Sequence, residues 1–201
     1  MAAKGRFVVL EGGDGSGKST QQALLAERLR SLGREVVATR EPGGTDVGVG
    51  IRALVLGGGA IDPATEALLI AADRAEHVAG VIRPALERGA VVVSDRHVPS
   101  SLAYQGVARG LGVDDIARLS EWATRGVRPD LVVVLDVPPD EAGRRRAGPL
   151  DRMEREPAEF RASVNEAYRD LAARFGWAVV DGTAPVEDVA ERIWALVEAL
   201  L

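Results

Sequence analysis

The chain has 201 residues, of which 46% are hydrophobic and 27% charged, with a formal net charge of −5 and no cysteine. That length suits one domain, 1–201, with a sizeable core, and the acidic balance leaves no electrostatic footprint for nucleic acid or an anionic membrane. Without cysteine there are no disulfides, thiolate nucleophiles or thiolate metal sites, and the apolar runs are too short for a signal peptide or a membrane span, so the cytoplasm is the expected compartment.

The first apolar run, Phe7–Leu10, reads as a strand. It leads directly into Gly12-Gly13-Asp14-Gly15-Ser16-Gly17-Lys18-Ser19-Thr20. Gly12, Gly17, Lys18 and Ser19 complete the phosphate-binding pattern G-x-x-x-x-G-K-[ST]. Its backbone N–H groups cradle phosphate, its lysine reaches the β- and γ-phosphates, and its hydroxyl ligates Mg²⁺. Leu25, Leu29 and Leu32 then recur at helical spacing, which sets a positive helix N-terminus under the anion. The loop fixes a nucleoside triphosphate as ligand and leaves the fate of its phosphate open.

Further apolar, β-branched runs follow at Glu35–Thr39, Ala90–Ser94, Leu131–Leu135 and Ala178–Val180. Continuous runs of this kind suit strands buried on both faces of a parallel sheet. Gly33 and Gly89 stand where helix C-caps are expected, and Asp62-Pro63 pairs a capping residue with proline at the first helical position. Gly57-Gly58-Gly59 reads as a mobile surface loop. Phe160, Val164, Tyr168 and Leu171 form one helical face, and Val189, Ile193, Leu196 and Leu200 another. The alternation predicts a three-layer α/β/α fold around a five-stranded parallel sheet, with ligands at the carboxyl ends of the strands.

Chemistry-bearing residues gather at those ends. Arg40-Glu41-Pro42-Gly43-Gly44-Thr45, with Arg52 beyond, follows the second run. Asp95-Arg96-His97 and then Ser100 to Gly106 follow the third. Arg144-Arg145-Arg146 and Asp151-Arg152-Met153-Glu154 lie between the fourth strand and a long helix, where a basic lid, around 142–156, can close over a triphosphate.

These segments resemble the thymidylate kinase family. The resemblance rests on Glu11 to Thr20, Thr39 to Thr45, Ala72-Asp73-Arg74-Ala75, Asp95-Arg96-His97 through Tyr104-Gln105-Gly106, and Leu150 to Glu154. It implies a phosphate-loop fold of the nucleoside monophosphate kinase type, which phosphorylates dTMP with ATP and Mg²⁺, and a homodimer packed through helices. Residue by residue it implies a phosphate clamp from Arg52 and Arg96, whose guanidinium forks fit phosphate oxygens bidentately. Asp14 matches the carboxylate that holds the sugar 3′-OH or the metal, and Asp95 the one that orients Mg²⁺ together with Ser19. Arg74 matches the donor to thymine O4, Ser101 and Gln105 the surroundings of the base edge, and Tyr104 the aromatic that crowds the sugar 2′ position. Glu41 and Pro42 fall in the same acceptor set.

The loop position that carries a basic residue in some members is Gly15 here, so the resemblance moves the catalytic arginine to the lid. The lid, Arg144 to Arg152, is expected to supply that charge, with the choice among its arginines left open; Arg152 joins Lys18, Asp14 and Arg96 in the expected catalytic set, and Arg144 is the expected lid contact to ATP. Asp181-Gly182-Thr183 resembles the loop beside the adenine. Ile70 departs from the family, which usually places phenylalanine there against the thymine. Two other readings of the phosphate loop are a deoxynucleoside kinase and a nucleotide-dependent switch. The arginine pair argues against the first, and the absence of an Asn-Lys-x-Asp guanine motif argues against a GTP switch, since the single asparagine, Asn165, precedes Glu166.

Overall fold

The computed structural model describes residues 5–145 and 149–201. The five apolar runs become β1 (Arg6–Glu11), β2 (Val36–Arg40), β3 (Val91–Asp95), β4 (Leu131–Asp136) and β5 (Ala178–Asp181). They form one all-parallel sheet in the order β2-β3-β1-β4-β5. Parallel pairing requires a crossover after each strand, and helices supply it. These are α1 (Lys18–Ser31), α2 (Asp46–Gly57), α3 (Pro63–His77), α4 (Arg83–Glu87), α5 (Val98–Ser101), α6 (Val113–Thr124), α7 (Pro139–Arg145), α8 (Ala158–Phe175) and α9 (Val186–Glu198).

Side chains alternate across the sheet and build a core on each face. Phe7, Val9, Val92, Val132 and Val134 meet Val164, Tyr168 and Leu171 of α8 and the α3–α6 side of the molecule. Val8, Leu10, Val93, Val133 and Leu135 meet Leu25 and Leu29 of α1 and Val189 and Ile193 of α9. Burial on both faces holds for the three central strands. β2 and β5 are the sheet edges and stay partly open, with Val179 of β5 49% exposed. Leu32 also departs from the expected face of α1: it lies past the last helical turn and is 58% exposed.

Asp62 caps α3 as expected, its Oδ1 accepting from the backbone N–H of Ala64 at 2.9 Å and Thr65 at 3.2 Å. The segment after β3 that carries Ser100 to Gly106 has no element assigned from the sequence. It is helical, and α5 continues into a π-helical stretch over Leu102–Ala108. A second π-helical stretch, Val78–Ile82, joins α3 to α4. The register sets Leu10 and Arg40 beside Asp95, so the phosphate loop, the Arg40–Thr45 segment and Asp95-Arg96-His97 leave the sheet at one edge.

Candidate active site

The phosphate loop leaves β1 on a path that a side chain would obstruct at two positions. Gly12 has φ 135°, and a Cβ there would lie 2.6 Å from the carbonyl oxygen of Leu135. At Gly13 a Cβ would lie 2.7 Å from Oδ1 of Asn165, whose amide is itself held by the Val137 carbonyl at 2.7 Å. The loop therefore packs against both β4 and α8. Lys18 turns back into it and donates from Nζ to the carbonyls of Gly12 at 3.1 Å and Gly13 at 2.8 Å. Burial is the main reason its pKa falls from 10.5 to about 8, and the nearby Arg96 guanidinium adds to the fall.

Gly15, Ser16, Gly17, Lys18, Ser19 and Thr20 line a groove that continues to Gly182, Thr183, Ala184, Pro185 and Val186. One end of this groove is thus a polar cradle for phosphates, and the other is a mostly apolar wall beside the loop after β5. Ser19 Oγ donates to Asp95 Oδ2 at 2.6 Å in the same groove. Mg²⁺ is held by one or two protein oxygens and completes its shell with water and phosphate. A hydroxyl and a carboxylate so close together fit that requirement. Among the described residues no larger group of acidic or histidine side chains could hold a metal.

A second cavity lies next to the groove. Asp14, Glu41, Pro42, Arg52, Ile70, Arg74, Arg96, Ser101, Tyr104 and Gln105 all line it, together with Val55, Leu56, His97, Ser100, Asp151 and Met153. Every residue expected on the acceptor side is therefore brought to one place. Its floor is organised by Glu41, which is 3% exposed. Glu41 Oε2 accepts from Arg74 Nε at 2.9 Å, and Oε1 faces Nδ1 of His77 at 2.9 Å and of His97 at 2.8 Å. Burial would raise the pKa of this carboxyl, but His97, Arg74 and the histidine hydrogen bonds outweigh it and hold the pKa well below the usual carboxylate range. An ionised carboxylate only accepts, so both imidazoles carry their proton on Nδ1. Arg74 spends its other hydrogen bonds on the His97 carbonyl at 3.1 Å, Ser101 Oγ at 3.0 Å and Ser120 Oγ at 3.3 Å, with one Nη1 hydrogen left over.

Asp14, Glu41, Arg52 and Arg96 line both the groove and the cavity, which marks where the two meet. Arg96 has φ 72°, in the left-handed region that non-glycine residues rarely adopt. Its guanidinium pairs with Asp14 at 2.5 Å and donates to Ser100 Oγ at 3.0 Å and the Tyr168 hydroxyl at 3.1 Å. Burial raises the pKa of Asp14, but Arg96 and Lys18 outweigh it and keep the carboxyl low. Behind Arg96, the buried Glu11 accepts from the Ser100 hydroxyl at 2.7 Å and the Tyr168 hydroxyl at 2.9 Å. Arg52 is held to the Pro42 carbonyl at 2.9 Å, across a cis Glu41-Pro42 peptide.

Comparison with known proteins agrees with this geometry. The family model described as thymidylate kinase matches residues 10–193. The chain belongs to the thymidylate kinase family. A thymidylate kinase of Leifsonia xyli is 54% identical over 94% of this chain and 92% of its own length. One from Synechococcus is 50% identical over 97% and 95%, and one from Thermomicrobium roseum 47% identical over 97% and 95%. Membership makes the chain a phosphotransferase of the nucleoside monophosphate kinase type.

The lid departs from what the thymidylate kinase resemblance implies. Arg152 does not reach the phosphate loop: it is 8% exposed, pairs with the buried Glu66, and donates from Nε to the Val55 carbonyl at 2.7 Å. Its backbone N–H bonds the Leu56 carbonyl at 2.9 Å, so the residue fastens the lid to α2 and α3. Arg144 is exposed and lines neither cavity. Arg145 does line the phosphate-loop groove and donates to the Gly182 carbonyl at 2.8 Å. Arg146 lies outside the described residues.

Residues that the sequence reading passed over support those it found. Tyr168 sits on a regular apolar face of α8, which reads as core, and only its hydroxyl contacts connect it to Arg96. Glu66 carries no motif at all. Its one signal is charge on a helix position that turns out 0% exposed.

Proposed function

We propose that the chain transfers the γ-phosphoryl group of ATP to dTMP, giving dTDP for dTTP synthesis, by direct in-line displacement. The observation that carries this reading is the convergence of a phosphate-loop groove and a second, base-sized cavity on Asp14, Arg52 and Arg96. In it, Lys18 leaves the loop carbonyls for the β- and γ-phosphates. Arg52 and Arg96 take the acceptor phosphate between them, which favours a monophosphate over a nucleoside. That phosphate has a second pKa of about 6 and is largely ionised at neutral pH, so no strong general base is required. Catalysis then comes from positioning and electrostatics. Mg²⁺, held by Ser19 and Asp95, would neutralise charge on the phosphates of the donor.

The remaining Nη1 hydrogen of Arg74 suits thymine O4 and opposes a cytosine amino group. Tyr104, with its hydroxyl 3.3 Å from Asp14 Oδ2 and its ring packed towards Phe160, suits the wall beside the sugar. Arg145 supplies the lid charge nearest the donor. The reading includes a homodimer and a cytoplasmic location. No helix among the described residues is long and apolar enough to cross a membrane.

A coupled assay of ADP release across a panel of nucleoside monophosphates and thymidine tests the proposal. ADP should form with dTMP, weakly with dCMP, and not without an acceptor. Acceptor-independent ADP release, or a preference for thymidine, overturns it.

A further inference from the structure

We propose that Glu66 is a positioning residue that locks the side-chain amide of Gln105, so that the acceptor cavity offers the base Gln105 Oε1, a hydrogen-bond acceptor. This rests on the acceptor reading above and specifies how the ring edge of the base is told apart.

Glu66 lies on α3 one turn before Ile70 and is 0% exposed. Its Oε1 accepts from Gln105 Nε2 at 2.8 Å. Its Oε2 accepts from Arg109 Nη2 at 3.1 Å and from Arg152 Nη2. Burial alone would raise the pKa of this carboxyl, but the hydrogen bonds from Gln105, Arg152 and Arg109 outweigh it and hold the pKa below the usual value. An ionised carboxylate has lone pairs and no proton to give. The only face of an amide it tolerates is the NH₂ group, because a flipped amide would set carbonyl oxygen against carboxylate oxygen. Gln105 lines the acceptor cavity, and its Oε1 has no partner among the described residues.

The consequence is chemical selectivity. Thymine carries a hydrogen on N3, which an amide oxygen accepts; cytosine has a lone pair there, which the same oxygen repels. The cavity thus opposes cytosine at two points, through the donor of Arg74 and the acceptor of Gln105. Both arginines that hold Glu66 ionised stand outside the cavity lining, so the control reaches the base through one fixed amide.

Glu66→Gln tests this, because a neutral amide at position 66 both donates and accepts and frees Gln105 to turn. The readout is the ratio of kcat/KM for dTMP to that for dCMP. An unsatisfied or released polar contact is worth on the order of tenfold or more, so the ratio should fall by about that factor. Arg109→Met removes a different partner of Glu66 and should leave the ratio unchanged while lowering thermal stability. An unaltered ratio in Glu66→Gln, or an equal fall in Arg109→Met, overturns the proposal.

Should Glu66→Gln fail to fold, ¹⁵N NMR of the unmodified protein decides. The Gln105 amide, assigned by its loss in Gln105→Ala, should have its hydrogen-bonded proton exchange slowly with solvent, with and without dTMP. Rapid exchange of both amide protons with solvent overturns the proposal. A native protein inactive on dTMP overturns the functional reading instead, and the amide signature still tests the hold of Glu66 on Gln105.

Discussion

Lys18 is held in the loop by the Gly12 and Gly13 carbonyls and the Ser16 hydroxyl, with no hydrogen bond to a carboxylate among the described residues, and that has a measurable effect. Its pKa of about 8 means that part of the free protein carries a neutral amine at mildly alkaline pH. A bound polyphosphate favours the ammonium form and returns the pKa towards the ordinary lysine value. Donor binding should therefore take up protons, about half a proton at pH 8 and more at pH 9. Calorimetric titration of ATP in buffers of different ionisation enthalpy measures this directly, and Lys18→Met should abolish the uptake. Ile70 gives a second prediction at this scale. It lines the acceptor cavity with the aliphatic Pro42, Val55, Leu56 and Met153, and the one tyrosine of the lining, Tyr104, is the wall proposed for the sugar. Stacking on an aromatic is worth on the order of 1–3 kcal/mol, of which aliphatic burial recovers part. Ile70→Phe should lower the Michaelis constant for dTMP several-fold, and an unchanged or higher constant would count against this account.

Individual elements were legible to different degrees. Strands could be read because central parallel strands are apolar on both faces, and the pattern weakened only at β2 and β5, where an edge is open to water. The phosphate loop and the Arg-Glu-Pro-Gly-Gly-Thr segment were legible because backbone geometry and phosphate chemistry restrict their residue types. The π-helical stretch that carries Tyr104 and Gln105 was not, because a widened helical turn has no composition of its own and is fixed by tertiary packing. The lid was the least legible. A run of arginines says that charge is present and leaves open which guanidinium turns inward, and the buried carboxylate that captures Arg152 lies on α3, far away in sequence. A clear division of labour follows. Arg152→Ala breaks a buried ion pair and leaves Glu66 with Arg109 as its remaining cation, which should cost up to about 3 kcal/mol of stability. Arg145→Ala removes a half-exposed side chain at the donor groove, so it should raise the Michaelis constant for ATP and leave the unfolding midpoint within a degree or two. Thermal denaturation and donor kinetics on the two variants check both. The opposite pattern would return the catalytic role to Arg152.

At the scale of the whole molecule, apolar surface is distributed unevenly. Leu54 of α2 is 60% exposed, Leu68 of α3 60% and Trp122 of α6 79%. These helices pack side by side, α2 on α3 and α3 on α6, on one flank of the sheet. Scattered exposed leucines are ordinary, but a tryptophan open to water on the same flank as two of them marks a surface built for covering. A second copy of the chain is the occupant proposed above, and a two-fold pairing would bury the same residues from both sides. The native protein should therefore sediment at twice its 21.2 kDa mass, and Trp122→Asp should return it to the single mass. The flank also connects to the chemistry. Val55 and Leu56 of α2 and Ile70 and Arg74 of α3 wall the acceptor cavity alone, whereas the donor groove shares only Arg52 with these two helices and is built mostly from the phosphate loop, α1 and the segment after β5. Loss of the partner would loosen α2 and α3 and leave the donor side braced by the sheet. Trp122→Asp should accordingly raise the Michaelis constant for dTMP more than that for ATP. A native protein that sediments at the single mass would remove the dimer from this account, and a dissociated variant with both constants unchanged would remove the link between the flank and the acceptor cavity.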